Sequence, residues 1–251
     1  MQPPLSTLYV CWYDKRRHVI LVVGRLRVQE EKPQERYEFR YVQQALDAQK
    51  NGFHPFEAFP ELHTPYYSDR LFPFFANRVI PTNRPDYLAN LAELGLDPTD
   101  GNPINVLARM GGSKPTYSEP IEIFATPALD PVTGQHVSDF LIRGVRYFPG
   151  AEQRITTLAQ GEKLLCMHDF QNPYNRRAIA LRTEDNYLLG YVPDYLTDDF
   201  SRLLGKSEPP VVTVSKVNLP PAPRHHRVLC RVHLKLESDA HDSRFLPLEK
   251  S

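Results

Sequence analysis

Proline occupies 24 of the 251 positions, and this punctuation limits how long any regular element can run. Proline lacks the backbone N–H, clashes with the preceding helical turn, and is confined to edges or bulges in sheets. A chain interrupted so often is expected to build short strands and short helices joined by turns. No internal repeat and no coiled-coil pattern is visible. The longest apolar runs, such as Val19 to Val23, are far too short to span a bilayer.

Between the prolines, the pattern of the first half is mixed. Thr7 to Trp12 and His18 to Val28 predict a β-hairpin around Asp14-Lys15-Arg16-Arg17, and Arg36 to Val42 alternates like a further strand. Gln43 to Lys50 suits a short helix, Asn51 to Tyr67 a loop rich in proline, histidine and aromatics, and Asp69 to Val79 a helix. Asp86 starts another helix that Gly95 closes, and Asn102 caps a third over Pro103 to Arg109, ended by Gly111-Gly112. Thr126 to Gln135 has turn residues and little periodicity, which places a boundary there.

The second half is strand-rich. Val137 to Val145, Gly161 to His168, Ala178 to Arg182, Leu188 to Val192, Val211 to Val217 and Val228 to Glu237 read as strands, with one short helix at Tyr195 to Leu204. Many short strands with one or two helices predict a small barrel. The fold class is therefore α+β: a small N-terminal sheet with helices over residues 1–126, and a C-terminal OB-like β-barrel over residues 137–240.

Composition narrows the function class. Three cysteines, Cys11, Cys166 and Cys230, are too few and too scattered for a disulfide framework or a cysteine-rich zinc site, and a reducing cytoplasm is the expected home. No basic stretch followed by a long apolar one marks the N-terminus as a secretory signal. Net charge is zero; residues 1–130 hold 14 basic against 16 acidic residues and the remainder 16 against 14. Binding to nucleic acid would thus depend on local clustering of charge.

Four separated segments carry the functional reading. They are Gly144-Val145-Arg146-Tyr147-Phe148, Gly161-Glu162-Lys163-Leu164, Asn172-Pro173-Tyr174-Asn175-Arg176-Arg177-Ala178-Ile179-Ala180 and Leu189-Gly190-Tyr191-Val192-Pro193. In order and spacing they resemble the HIRAN domain, with its G-x-x-Y start, its N-P-Y-D-x-x-A-I centre and its G-Y-(V/L)-P end. That resemblance implies a pocket for the 3′ end of single-stranded DNA, lined here by Arg146, Tyr147, Asn172, Tyr174 and Asn175. The chemistry agrees. Arg146 is a fork for phosphate. Tyr147 and Tyr174 offer stacking faces, each worth roughly 1–3 kcal/mol. Asn172 and Asn175 can bond a sugar hydroxyl or a base edge, and Arg176 and Arg177 add charge. Asn172-Pro173-Tyr174 is also a good turn in its own right, with Asn capping it, and both tyrosines also suit a half-buried core. Two positions depart from the family: Asn175 stands where an Asp is usual, and Asp194 follows Pro193 where a basic residue would help phosphate binding. The loop Pro220 to Arg227, with Arg224 and His225-His226, is basic and stiffened by proline; it suits either an extension of a DNA groove or a solvated tip.

The first half is similar to the N-terminal subdomain of HipA-type toxin kinases. The similarity rests on Gly24-Arg25-Leu26, Tyr37-x-Phe39-x-Tyr41, the stretch Leu71 to Pro81, Leu94-Gly95-Leu96 and Val106 to Arg109. Leu71, Phe72, Phe75 and Val79 would equally form the apolar stripe of an ordinary helix. The resemblance implies a protein partner for this half, contacted through an exposed aromatic stretch from His54 to Tyr67. It includes no kinase lobe. Gly111-Gly112-Ser113-Lys114 lacks the first glycine of a phosphate loop and reads as a helix end and turn. Cys166 and His168 face one side of a strand without an orienting group, so no catalytic dyad, cofactor or metal is expected. The function expected is that of a non-enzymatic DNA-binding adaptor for single-stranded DNA. Its rival is a protein-interaction module of a toxin–antitoxin or defence system that does not bind DNA.

Overall fold

A computed structural model describes residues 7–31, 34–98, 101–112, 121–236 and 245–249. The chain divides into two compact units, one of Met1–Tyr87, Thr99–Thr126 and Asp239–Ser251, the other of Leu88–Pro98 and Pro127–Ser238. Each half therefore borrows a segment from outside the range read from sequence.

In the first unit, β1 (Thr7–Asp14), β2 (Val19–Glu31), β3 (Gln34–Tyr41), β4 (Tyr66–Ser68) and β5 (Ile121–Phe124) form an antiparallel sheet in the order β4-β3-β2-β1-β5. The β1–β2 turn is set by Asp14, whose Oδ1 accepts from the N–H groups of Arg16 and Arg17. Helix α1 (Gln44–Lys50) follows the sheet. Helix α4 (Pro103–Met110) begins where the Asn102 side chain accepts from Ile104 N–H at 2.8 Å and ends at Gly111, whose φ of 76° is left-handed.

Two expectations for this unit need correction. The helix read over Asp69 to Val79 is a single turn, α2 (Pro73–Ala76). Pro73 favours extended backbone at the residue before it, and Phe72 has ψ 140° there, so no helix passes through it. The stretch His54 to Tyr67 is exposed in its polar residues and at Tyr67, but its phenylalanines are not. Phe56 and Phe59 are buried, with Phe59 stacked on Phe39 at 4.0 Å. The Tyr41 hydroxyl pins the loop by donating to Phe59 O and accepting from Phe56 N–H, both at 2.7 Å. Strand β5 had no counterpart in the sequence reading. Ser113 and Lys114 lie outside the described residues, as do residues 237–240.

The second unit contains β6 (Ala128–Leu129), β7 (His136–Leu141), β8 (Lys163–His168), β9 (Ile179–Arg182), β10 (Leu188–Tyr191), β11 (Val211–Val217) and β12 (Val228–Leu234), in the order β10-β9-β8-β11-β12-β7-β6. Strand pairing alone gives an open sheet. One bridge, Arg143 with Tyr191, brings the chain beyond β7 back to β10. Helices α5 (Ala151–Ile155) and α6 (Thr197–Leu203) complete the unit, with Phe200 of α6 packed edge-on to Phe140 of β7 in the core. The first of these helices has no counterpart in the sequence pattern.

The strand read to Val145 stops at Leu141. Gly144, with φ 70°, turns the chain into a 3-10 turn over Val145–Tyr147. Helix α3 (Tyr87–Glu93), read with the first half, belongs to this unit apart from its first residue. Its Glu93 carboxylate meets His226 Nδ1 at 2.8 Å, and its C-terminal carbonyl accepts from Asn218 Nδ2, also at 2.8 Å. The 218–227 loop is anchored by Asn218, Ala222 and His226, which are buried, while Pro220, Pro221 and Pro223 to His225 are exposed.

Candidate nucleic-acid interface

The site is built where three chain segments meet. Gly190 makes the meeting possible, since a side chain there would come within 2.4 Å of Ile142 and the Arg143 carbonyl. Glycine instead lets Arg143 and Tyr191 exchange two backbone hydrogen bonds, at 2.9 and 2.8 Å. Gly144 next door is flanked by the rings of Tyr191 and Tyr147, each about 3 Å from where a Cβ would stand. The Tyr191 hydroxyl donates to Asp169 at 2.8 Å, and burial with this carboxylate raises its pKa despite an opposing hydrogen bond with Asn172. Tyr147 and Tyr191 thus both flank Gly144, and Tyr191 is tied in turn to Asp169 and Asn172.

That turn is organised by its asparagines. Asn172 Oδ1 accepts from Tyr174 N–H at 2.9 Å and Asn175 N–H at 3.0 Å. Asn175 Oδ1 accepts from Arg177 N–H, and its Nδ2 donates to Asp194 at 2.7 Å. Both side chains hold the loop and have less capacity left for a ligand than free amides would. The two departures from the family pattern, Asn175 and Asp194, are direct partners. An aspartate at 175 would set two carboxylates against each other; the amide supplies a donor instead. Half burial raises the Asp194 pKa, and the Asn175 hydrogen bond and the Arg143 charge only partly offset it.

The remaining residues divide by their partners. Tyr147 and Tyr174 are 54% and 63% exposed, too open for core residues of a rigid sheet. Arg146 folds over its neighbour: its guanidinium lies 4.8 Å from the Tyr147 ring centre and donates to the Tyr147 hydroxyl at 2.6 Å. Arg177 is paired with Asp198 at 2.6 Å, and Arg224 with Glu152, also at 2.6 Å. The 3-10 turn carrying Arg224 packs against the Val145–Tyr147 turn, which brings this arginine to the same region but with its charge engaged. Arg176 is exposed, with no hydrogen bond or ion pair among the described residues.

Three features escaped the sequence reading. Asp194 is the partner of Asn175, and Asp169 anchors Tyr191. Phe170, 77% exposed, stacks on His168 at 5.0 Å with 15° between the rings. A phenylalanine placed just before an Asn-Pro-Tyr turn was the available signal. The Cys166 thiol beside this region is pushed up to about 12 by burial, which keeps it protonated and a poor nucleophile. No group of three or more metal-ligating side chains is assembled among the described residues.

Residues 136–237 match the family model of the HIRAN domain. This part of the chain is a HIRAN domain. Among solved structures, it is similar to a protein from Lactobacillus plantarum, with 19% identity and TM-score 0.32, covering 41% of this chain and 100% of that one. It is also similar to the HIRAN domain of human HLTF, with 16% identity and TM-score 0.29, covering 40% of this chain and 72% of that one. No curated protein matches the chain. The HIRAN assignment points to a DNA-binding module. No helix among the described residues is long and apolar enough to cross a membrane.

Proposed function

We propose that the HIRAN domain of this chain binds the 3′ end of single-stranded DNA, and that the protein acts as a non-enzymatic adaptor. The observation that carries this reading is the pair of exposed rings, Tyr147 beside Gly144 and Tyr174 on the Asn172 turn, with Tyr191 flanking Gly144 and bonded to that turn. Exposed rings on a fixed loop are stacking platforms for unpaired bases, because each base offers a π-face whatever its identity. Arg146 takes a phosphate once it releases the Tyr147 hydroxyl, and Arg176 supplies a second charge. The terminal hydroxyl sits at the Asn175–Asp194 pair. A carboxylate has about four lone-pair sites, and the Asn175 amide uses one of them, so Asp194 can accept from a 3′-OH.

This reading is tested with two oligonucleotides that differ only at the end, one with a free 3′-hydroxyl and one with a 3′-phosphate. The free end should bind more tightly, because a phosphate would meet the Asp194 carboxylate. Equal affinity would remove the end-binding claim and leave general single-strand binding. No binding of either at low salt would favour a protein-interaction module. For the N-terminal unit we infer a protein partner, in keeping with its HipA-like segments. Its contact surface is not the aromatic stretch around Phe56 and Phe59, which are core residues.

A further inference from the structure

We infer that the HIRAN domain has a second nucleotide subsite, an open groove between the β8–β9 turn and α6, which takes the part of a single strand that leads away from its bound end. The inference rests on the single-strand reading above. The groove has a volume of about 460 Å³ and is lined by His168, Phe170, Arg176, Arg177, Ser201 and Arg202, with Asp198 beside them. Such a volume suits a small ligand or a single nucleotide unit.

Its chemistry is that of a nucleotide site. Phe170 is the most exposed ring of the unit, and His168 backs it in parallel, so one face is fixed while the other is open. A parallel-backed open ring is a platform for a base. Around it stand three guanidinium groups against one carboxylate, and that carboxylate, Asp198, is already paired with Arg177. The local balance is positive in a chain whose net charge is zero, as a phosphate path requires. The Ser201 hydroxyl and His168 Nδ1 are buried in the groove wall and make no hydrogen bond among the described residues.

The groove adjoins the end site along the chain. Phe170 and Asp169 are chain neighbours, and Asp169 holds Tyr191, whose ring flanks Gly144 beside Tyr147. Arg176 and Arg177 follow Tyr174 and Asn175 directly and line the groove. A strand ending at Tyr147 and Tyr174 is thereby led past Arg176 towards Phe170.

The test uses the full chain and fluorescein-labelled oligodeoxythymidylates of two, four and eight nucleotides with free 3′-hydroxyls. Wild-type affinity should rise with length by about tenfold or more, since each stacked base adds that order of binding. Phe170→Ala should abolish this gain while leaving dinucleotide binding unchanged; its ring is exposed, so the fold should persist. Arg202→Gln should reduce the gain and flatten its salt dependence. Tyr174→Ala should weaken the dinucleotide itself. A Phe170→Ala protein that keeps the full length gain overturns the second subsite. A wild type that binds the dinucleotide but gains nothing with length overturns it too, and leaves the end site standing. Failure of the wild type to bind any of the three overturns both.

Discussion

The two units use aromatic residues in opposite ways. In the N-terminal unit, Phe39, Phe53, Phe56, Phe59 and Phe75 pack into one buried cluster that closes a loop onto a sheet. In the HIRAN unit, the core is aliphatic apart from Phe140 and Phe200, and Tyr147, Phe170 and Tyr174 stand in solvent on loops. Residue type alone does not separate structure from binding. What separates them is whether a backbone polar group of the loop is tied to the sheet. Tyr41 ties down the Phe56–Phe59 loop through two main-chain hydrogen bonds, whereas the Asn172 turn is satisfied within itself and leaves its ring outside.

The contrast should show first in stability. Phe59→Ala removes a fully buried ring stacked on Phe39 and is expected to cost about 3–5 kcal/mol, read as a fall in denaturant midpoint. Phe170→Ala should stay within about 0.5 kcal/mol of wild type. If both changes cost the same, the division between buried and presented rings fails.

Next in size is the effect of α3. A fragment of residues 88–238 should unfold at a higher temperature than one of residues 127–238. The longer fragment keeps Glu93 on His226 and Asn218, and keeps Gly95 against Leu229. Equal midpoints would mean that α3 contributes nothing to the HIRAN unit.

A smaller effect concerns charge. Arg146→Ala should lower the slope of log affinity against log salt by about 0.7, the share of one phosphate contact on a single strand. An unchanged slope would leave Arg146 as a support for Tyr147 only.

The smallest effect is a pH dependence of stability. Burial raises the Asp194 pKa in the folded chain, so the folded state holds this proton more tightly than the unfolded one. Its contribution is favourable at low pH and is lost as pH rises through the raised folded value. Asp194→Asn, which keeps an acceptor for Asn175, should remove that decline. The difference in denaturant midpoint between variant and wild type should therefore grow in the variant's favour from acidic to neutral pH. A difference that is flat with pH would show that Asp194 is no source of this dependence.

Much of this was legible in the residues. The HIRAN segments, the Asn102 cap, the Gly111 stop and the β1–β2 hairpin all depend on local rules of turn, cap and alternation, and those rules operate within a few positions. What escaped depends on distant partners. Nothing near Phe56 or Phe59 announces that Tyr41 will bury them. Nothing near Glu93 announces Asn218 and His226, more than a hundred positions away. Asn175 and Asp194 stand in the sequence as two separate departures, because only the fold sets position 175 against position 194. The barrel expected from strand count is an open sheet with one bridge: β7 ends at Leu141, and Gly144 turns the chain directly after Arg143 has paired with Tyr191.

The central claim is that the exposed rings of the HIRAN domain serve binding and not folding. It is tested most directly by fluorescence anisotropy with a labelled single-stranded oligonucleotide, comparing the wild-type chain with the Tyr147→Ala/Tyr174→Ala double variant, and by the thermal midpoint of both. The expected result is a loss of affinity of at least about tenfold, from two lost stacking faces, with the thermal midpoint unchanged. Unchanged affinity in a folded double variant, with the wild type binding well, would contradict the claim.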